Sequence, residues 1–408
     1  MSRAQLTTAE VVVAGAGVAG SAVAFELAKR GVRVLLLERG AAGPAGASTV
    51  PAALINPHRG RSGKARPQDV AGATAFWALI QDLEASVGPS GAHRSGVLRL
   101  ADNARQARNW QKLVGTVWLE PGEVPPEYHA PFGAMLVPGG GWLRSAELLT
   151  SLAAGVRAAG GRVLHGAELV GVEPRIGAER ATGAVATALT VKLRQAGAAG
   201  LGAAGLGAAG LGAAGLGASS VDPAATRYVT CRALIVATGA WQPAELRLPR
   251  LELVWGEART LALGFTPSLP LTGSVAAAFH DGLAFVSGGH RHVGWLGEQV
   301  SWQGNTAAGA GHDGSHEPLD AVATSSAAEE PSRSLQHALA WQVPAAAGAH
   351  VVGHWEGVRA KRPSGEPVVR RVAPGVHLLA AFGGRGFLRA AAAATELADR
   401  LARELTAG

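Results

Sequence analysis

The sequence predicts an α/β protein built on a parallel sheet, and three observations predict it. A β-branched run, Glu10–Ala14, stops at glycines, restarts as a helix and leads to a second apolar run that ends on Glu38. Strand-like and helix-like segments then alternate along most of the 408 residues. A later apolar run, "LIVATGA" from Leu234, ends at a turn as the first one does.

The first run suits a central parallel strand, because it is apolar on consecutive residues and not on alternate ones. Gly15, Gly17 and Gly20 follow as G-x-G-x-x-G. Gly15 permits the tight turn, Gly17 lets backbone approach a pyrophosphate, and Gly20 lets the helix pack close to the strand. The helix Val18–Arg30 points its first amides, those of Val18 and Ala19, at the phosphates. "VRVLLLE" is the second strand, and Glu38 stands 23 positions after Gly15. An acid there accepts the two ribose hydroxyls and repels a 2′-phosphate. FAD and NAD both carry the adenosine diphosphate that this unit binds. The next segment, Arg39–Gly60, is a long loop of small residues holding Gly46, Ala47 and Ser48 and then Ala52, Ala53 and Leu54. Such a loop suits a bulky planar ring above it and favours FAD.

Further along, Ser145–Ala159 has the pattern of a helix, "GRVLHGAELVGVE" (161–173) of a strand, and Leu388–Leu405 of a long alanine-rich helix. Two segments look inserted. Gly197–Leu216 is four copies of "GAAGL", a period that fits neither helix nor strand, with glycine at two positions in five. Ordering it is costly in entropy, and its small residues supply too little apolar area to span a membrane. We expect a flexible loop over 195–221 at the tip of a hairpin. Gln303–Arg333, small and polar, is expected to be a second mobile excursion. His312 and His316 inside it are expected to be solvated.

Composition bounds the function classes. The single cysteine, Cys231, excludes a disulfide framework and a multi-cysteine zinc site, and it fits a reducing cytoplasm. The polar start carries no secretory pattern. The net charge of +7 suits nucleic acid, a membrane surface or an acidic substrate, although the arginines are scattered.

Five ordered stretches resemble a known family. These are "GAS" (Gly46–Ser48), "GGGWLRSAELLTSLAAGVRAAGGRVL", "LIVATGAW", "WEGVRAKRPSGEPVV" and "FGGRGFLRAAAAATELA". Together they resemble the FAD-dependent oxidoreductases of the D-amino-acid oxidase type. One departure is Ser364, where the family usually has Asp. The resemblance implies an FAD enzyme that oxidises the C–N bond of an amino acid or secondary amine by hydride transfer to flavin N5. "GAST-VPAALINP" and "GGRG" are similar to the FAD-dependent domain of bifunctional enzymes that modify a tRNA wobble uridine. A carboxymethylaminomethyl-modified uridine of tRNA is therefore an alternative substrate. An NAD-dependent dehydrogenase is the second alternative.

The same resemblance distributes roles. Arg359 would clamp a substrate carboxylate by a bidentate contact. Arg385, between Gly383, Gly384, Gly386 and Phe387, would lie against the isoalloxazine and stabilise its reduced, anionic form. Thr238 and Gly239 would pass near the phosphates or ribityl chain, and Leu169 would border the adenine. His58 and Arg59 could face the substrate. His290 and His292 are alternate strand residues on a solvated face, and Cys231 is a buried packing residue. No metal site is expected. The expected organisation is a Rossmann-like FAD-binding domain of 1–70, 142–245 and 352–408. A mostly antiparallel α+β substrate domain of 71–141 and 246–351 completes it.

Overall fold

The structure, a computed structural model, describes residues 7–41, 43–175, 188–195, 226–241, 243, 246, 249, 251–273, 275–296 and 329–407. In chain order its elements begin β1 (Thr7–Thr8), β2 (Val11–Ala14), α1 (Val18–Lys29), β3 (Val34–Glu38), β4 (Ala52–Ile55), α2 (Pro67–Val87), β5 (Ala92–His93), β6 (Val97–Leu100), α3 (Ala104–Trp110), β7 (Val117–Leu119), β8 (Ala134–Val137) and β9 (Gly141–Arg144). Next come α4 (Ser145–Ala158), β10 (Arg162–His165), β11 (Ala167–Arg175), β12 (Ala188–Gln195), β13 (Thr226–Cys231), β14 (Ala233–Val236) and β15 (Leu251–Ala262). The chain closes with β16 (Leu271–Thr272), β17 (Ala276–His280), β18 (Leu283–Leu296), α5 (Glu329–Gln342), β19 (His350–Lys361), β20 (Val368–Ala373), β21 (Val376–Ala380) and α6 (Gly386–Thr406).

The predicted parallel sheet is present. It has six strands in the order β10-β3-β2-β14-β21-β20, all parallel except β20. Its central strands β2 and β14 are continuously apolar because both faces are covered. Val11, Val13, Leu36 and Ile235 pack on the helices beside Phe25, Leu152 and Leu397. Val12, Ala14, Leu35 and Val236 pack on the other side against Leu169, Val191 and Cys231. Those last three belong to a four-stranded sheet, β1-β13-β12-β11. Each Val, Leu, Ile or Phe side chain so buried contributes roughly 1.5–3 kcal/mol. No helix among the described residues is long and apolar enough to cross a membrane.

The second large sheet has eight strands, β19-β15-β18-β17-β16-β6-β8-β7, antiparallel except where β16 meets β6. One face buries Leu261, Ala277, Phe279 and Val286 against Leu335 and Leu339 of α5. The other face turns Ala278 and Phe285 toward Ala52, Leu54 and Trp142, on β4 and β9 of a small three-stranded sheet.

Three expectations change. The strand expected over 161–173 is two strands in two sheets, because Gly166 turns with φ 66° between β10 and β11. The excursion expected over Gln303–Arg333 ends early, since α5 begins at Glu329; residues before that, His312 and His316 among them, lie outside the described residues. The expected boundary at 352 cuts through β19, which pairs along its length with β15 in the eight-stranded sheet. The chain therefore stays with that sheet until Lys361. The GAAGL repeat lies outside the described residues, but the strands flanking it, β12 and β13, pair antiparallel from Leu189↔Cys231 to Arg194↔Thr226.

Candidate active site

Gly15, Glu38, Thr238 and Gly383 are far apart in sequence, yet each lies at or just past the carboxyl end of a parallel strand, β2, β3, β14 or β21. Open parallel sheets bind ligands along that edge.

The glycine turn is set by close backbone approach. Gly15 has φ 101°, and a Cβ on it would lie 2.6 Å from the Ala237 carbonyl oxygen. A Cβ on Gly20 would overlap the Gly15 carbonyl oxygen, and one on Gly17 would lie 3.2 Å from Ser48 Oγ. Glu38 is buried and braces the turn: Ala16 N donates to its Oε2 at 3.0 Å and Gly40 N to its Oε1 at 2.9 Å. Each oxygen keeps a second lone pair for a hydroxyl. Ser48 Oγ accepts from Val18 N, at 3.1 Å, in the first turn of α1. That leaves the Ser48 proton free to meet an anion at a helix N-terminus. A Cβ on Gly386 would lie 3.5 Å from Val18 Cγ1, so the starts of α6 and α1 adjoin and their positive ends act together.

Beside this cradle, the Thr238 hydroxyl donates to the Trp241 carbonyl, and the Arg39 guanidinium lies 3.9 Å from the Trp241 ring centre. Gly239 follows with φ 66°. The Leu169 side chain is in the core beneath the sheet, so only its backbone can meet a ligand. The Phe387 side chain is likewise in the helix-side core. Leu54 lies between the small and the eight-stranded sheets, in register with Trp142.

Arg359 reaches the same region from the other sheet. β15 and β19 keep one register from Glu252↔Lys361 to Thr260↔Gly353, so Arg359, Gly357 and Trp355 share a face with Gly256 and Ala258. Trp355 Nε1 donates to Thr49 Oγ1 at 3.0 Å, which seats this face on the loop after Ser48. The Arg359 guanidinium crosses Gly256 and ends beside Gly384, whose Cβ would lie 3.2 Å from Arg359 Nη1. The surrounding protein lowers the Arg359 pKa from its usual value.

His58 and Arg59 separate. The His58 ring is buried, with Nδ1 2.9 Å from the Gly63 carbonyl, and burial lowers its pKa. It does not face the cleft. Arg59 does, donating from Nη1 to the Gly384 carbonyl at 2.9 Å. Arg385 leans toward buried Asp69, with Nε 3.9 Å from Oδ1. Cys231 is buried, and burial pushes its pKa up to about 12. His290 and His292 stand on β18.

Three residues had gone unassigned. Asp69 accepts from Arg389 Nε at 2.6 Å, and Arg389 Nη1 donates to Glu366 at 2.8 Å. This network fastens α2, α6 and the 362–366 turn around the cleft. In that turn Ser364 Oγ accepts from Glu366 N at 3.3 Å, the hydrogen bond an Asp would also make. The one sequence cue was Asp69 in the first turn after Pro67.

Residues 10–400 match the family described as FAD dependent oxidoreductase (DAO). The tRNA 5-methylaminomethyl-2-thiouridine biosynthesis bifunctional protein MnmC of Maricaulis maris is 25% identical over 392 residues, which are 96% of this chain and 52% of that protein. Glycine oxidase of Geobacillus kaustophilus is 30% identical over 167 residues, 37% of this chain and 44% of that one. The chain thus spans about half the length of these relatives that it matches. The crystal structure of glycine oxidase from Geobacillus kaustophilus superposes with a TM-score of 0.67 at 20% identity, covering 97% of this chain and 95% of the other. The family match sets FAD as the cofactor and overturns the NAD alternative.

Proposed function

We propose that this chain, which belongs to the FAD dependent oxidoreductase family, oxidises the C–N bond of an amine that carries a carboxylate. The observation that carries the reading is Arg359, held across Gly256 and beside Gly384 on the sheet face that meets the loop of Ser48 and Thr49.

The residues present fit the cofactor. The Gly15–Gly20 turn is a cradle that Cβ atoms would fill, Glu38 suits the ribose, and Ser48 with the starts of α1 and α6 suits the pyrophosphate. Bound there, FAD supplies the acceptor for the hydride that leaves the carbon next to nitrogen. The protein's part is orientation and charge. Arg359 takes the carboxylate in its planar fork and fixes the adjacent carbon. Neighbouring guanidinium groups lower the pKa of the substrate amine, which favours the neutral form whose lone pair drives C=N formation. Trp355, Leu54 and Phe285 give the cleft an apolar wall.

A second reading has its own support. A groove of about 530 Å³, lined by Arg61, Asn103, Arg105, Gln106 and Asn109, adjoins the loop that carries Arg59. Together with the likeness to MnmC it supports an amine borne on a tRNA wobble uridine. The test is anaerobic mixing of FAD-loaded protein with glycine or sarcosine, followed by flavin absorbance. Bleaching supports the free amine. No bleaching, with salt-sensitive tRNA binding, supports the RNA-borne amine. No bleaching by these amines or by tRNA that carries the modified uridine would overturn amine oxidation.

A further inference from the structure

The turn that opens α6 does not keep its shape by itself. Ala381 has φ 65° and Gly383 has φ 55°, so both lie in the left-handed region, and Ala381 carries a Cβ there. Such a residue costs energy and persists only where its surroundings hold it. On one side Phe382 bridges Lys361 of β19. On the other the Gly384 carbonyl accepts from Arg59 Nη1 at 2.9 Å. Arg59 is thus a brace on the turn from a loop more than 300 positions away.

A long side chain braces only if its own backbone is fixed. Arg99 Nη1 donates to the His58 carbonyl at 2.8 Å and Nη2 to the Gly60 carbonyl at 2.9 Å, so the chain is held just before and just after Arg59. Trp110 Nε1 and Gln106 Nε2 donate to the Arg61 carbonyl at 3.2 and 3.3 Å. The His58 ring lies 2.9 Å from the Gly63 carbonyl. Those ties already fasten the loop to α3; what Arg99 adds is the placing of Arg59. Arg99 stands on β6 between β8 and β16, buried, with both forks on neutral carbonyls. Its Nε has no acceptor among the described residues. Burial pushes its pKa down to about 10. A buried cation bonded to neutral groups is costly, and an apolar side chain would cost less there if the position of Arg59 did not matter.

We propose that Arg99 is a positioning residue for the cofactor: it fixes Arg59, and Arg59 holds the 381–386 turn in the form that receives FAD. This rests on FAD lying at the starts of α1 and α6, as proposed above.

The test is a double-mutant cycle on FAD affinity, with FAD titrated into the full-length, flavin-stripped protein and followed by flavin fluorescence. Arg59→Gln and Arg99→Gln should each weaken FAD by about 10-fold or more, the effect of losing a charged hydrogen bond. The double variant should stay within about 3-fold of either single one, because the two changes act through one contact. Losses that multiply would overturn the proposal. Arg99→Lys keeps the charge but cannot fork to two carbonyls, so it should recover only part of the affinity; full recovery would show that charge suffices and would also overturn it. A second measurement needs no cofactor: amide hydrogen exchange of the full-length protein, with and without FAD. Arg99→Gln should speed exchange in both 58–63 and 381–386, whereas Arg59→Gln should speed it in 381–386 alone. Arg59 is exposed, so its variant leaves the core intact even if Arg99→Gln does not fold. If the turn exchanges faster in Arg59→Gln while FAD affinity is unchanged, the placement of FAD fails and the brace stands. If the turn stays protected in Arg59→Gln, the proposal fails whatever FAD does.

Discussion

At the Gly15–Gly20 turn the groups offered to a ligand are backbone amides, and their neighbours are so close that a single added carbon collides. At the other side of the cleft the groups are the side chains of Arg59, Arg359 and Arg385, delivered by a loop, a β-strand and a helical turn, with a gap between them. The first region is where we propose that the FAD of the family sits. The second has room to change one residue without moving the backbone, which is where substrate choice can vary. A cradle made of main chain tolerates no substitution, whereas a site made of long side chains can be retuned.

This difference is open to breaking from the top down. Gly20→Val should do the most damage, at least about 5 kcal/mol, because both the turn and its packing on Gly15 must shift. Purified variant should contain almost no flavin and melt far below the parent. A variant that keeps full flavin content would show that the cradle yields. Asp69→Asn comes next. It leaves buried Arg389 with the single anionic partner Glu366 and should cost about 3–5 kcal/mol in denaturant unfolding. A loss under about 1 kcal/mol would mean that Glu366 alone suffices to fasten the arginine side of the cleft.

The strand leading into the arginine turn supplies a pH test. His377 on β21 is buried, and burial, then Arg400 and Arg371, push its pKa down to about 4. An unfolded histidine titrates near 6.5. Above that pH both states are neutral and stability is flat. Between about 6.5 and 4 the unfolded chain alone gains the proton, so stability falls as pH falls, by about 3 kcal/mol in all. His377→Gln should flatten that part of the pH–stability curve; an unchanged slope would place the acid sensitivity elsewhere. The smallest effect is the sharpest for the comparison. Arg359→Lys keeps the charge and loses the fork, so it should weaken a carboxylate-bearing amine by about 10- to 150-fold, or 1.5–3 kcal/mol, with flavin retained. Unchanged apparent affinity in anaerobic bleaching would remove Arg359 from the clamp.

The glycine cradle, β2, α1 and β3 could be found from sequence because their geometry is local: Gly15, Gly17, Gly20 and Glu38 are joined by one strand–helix–strand unit. So could α4 and α6, whose periodicity is local as well. Long-range pairing was not legible. Nothing in residues 161–173 tells that β10 joins one sheet and β11 another, since the division depends on Gly166 and on partners far along the chain. His58 and Arg59 are adjacent and equally plausible on paper; only the tertiary fold turned the histidine to Gly63 and the arginine to Gly384. Asp69 escaped notice because its partner Arg389 lies 320 positions away. Sequence by itself determined the glycine turn and the strand–helix–strand unit around it, because backbone conformation there follows from neighbouring residues. Tertiary structure decided which charges meet, because an ion pair depends on distance in space, and separation along the chain does not set that distance.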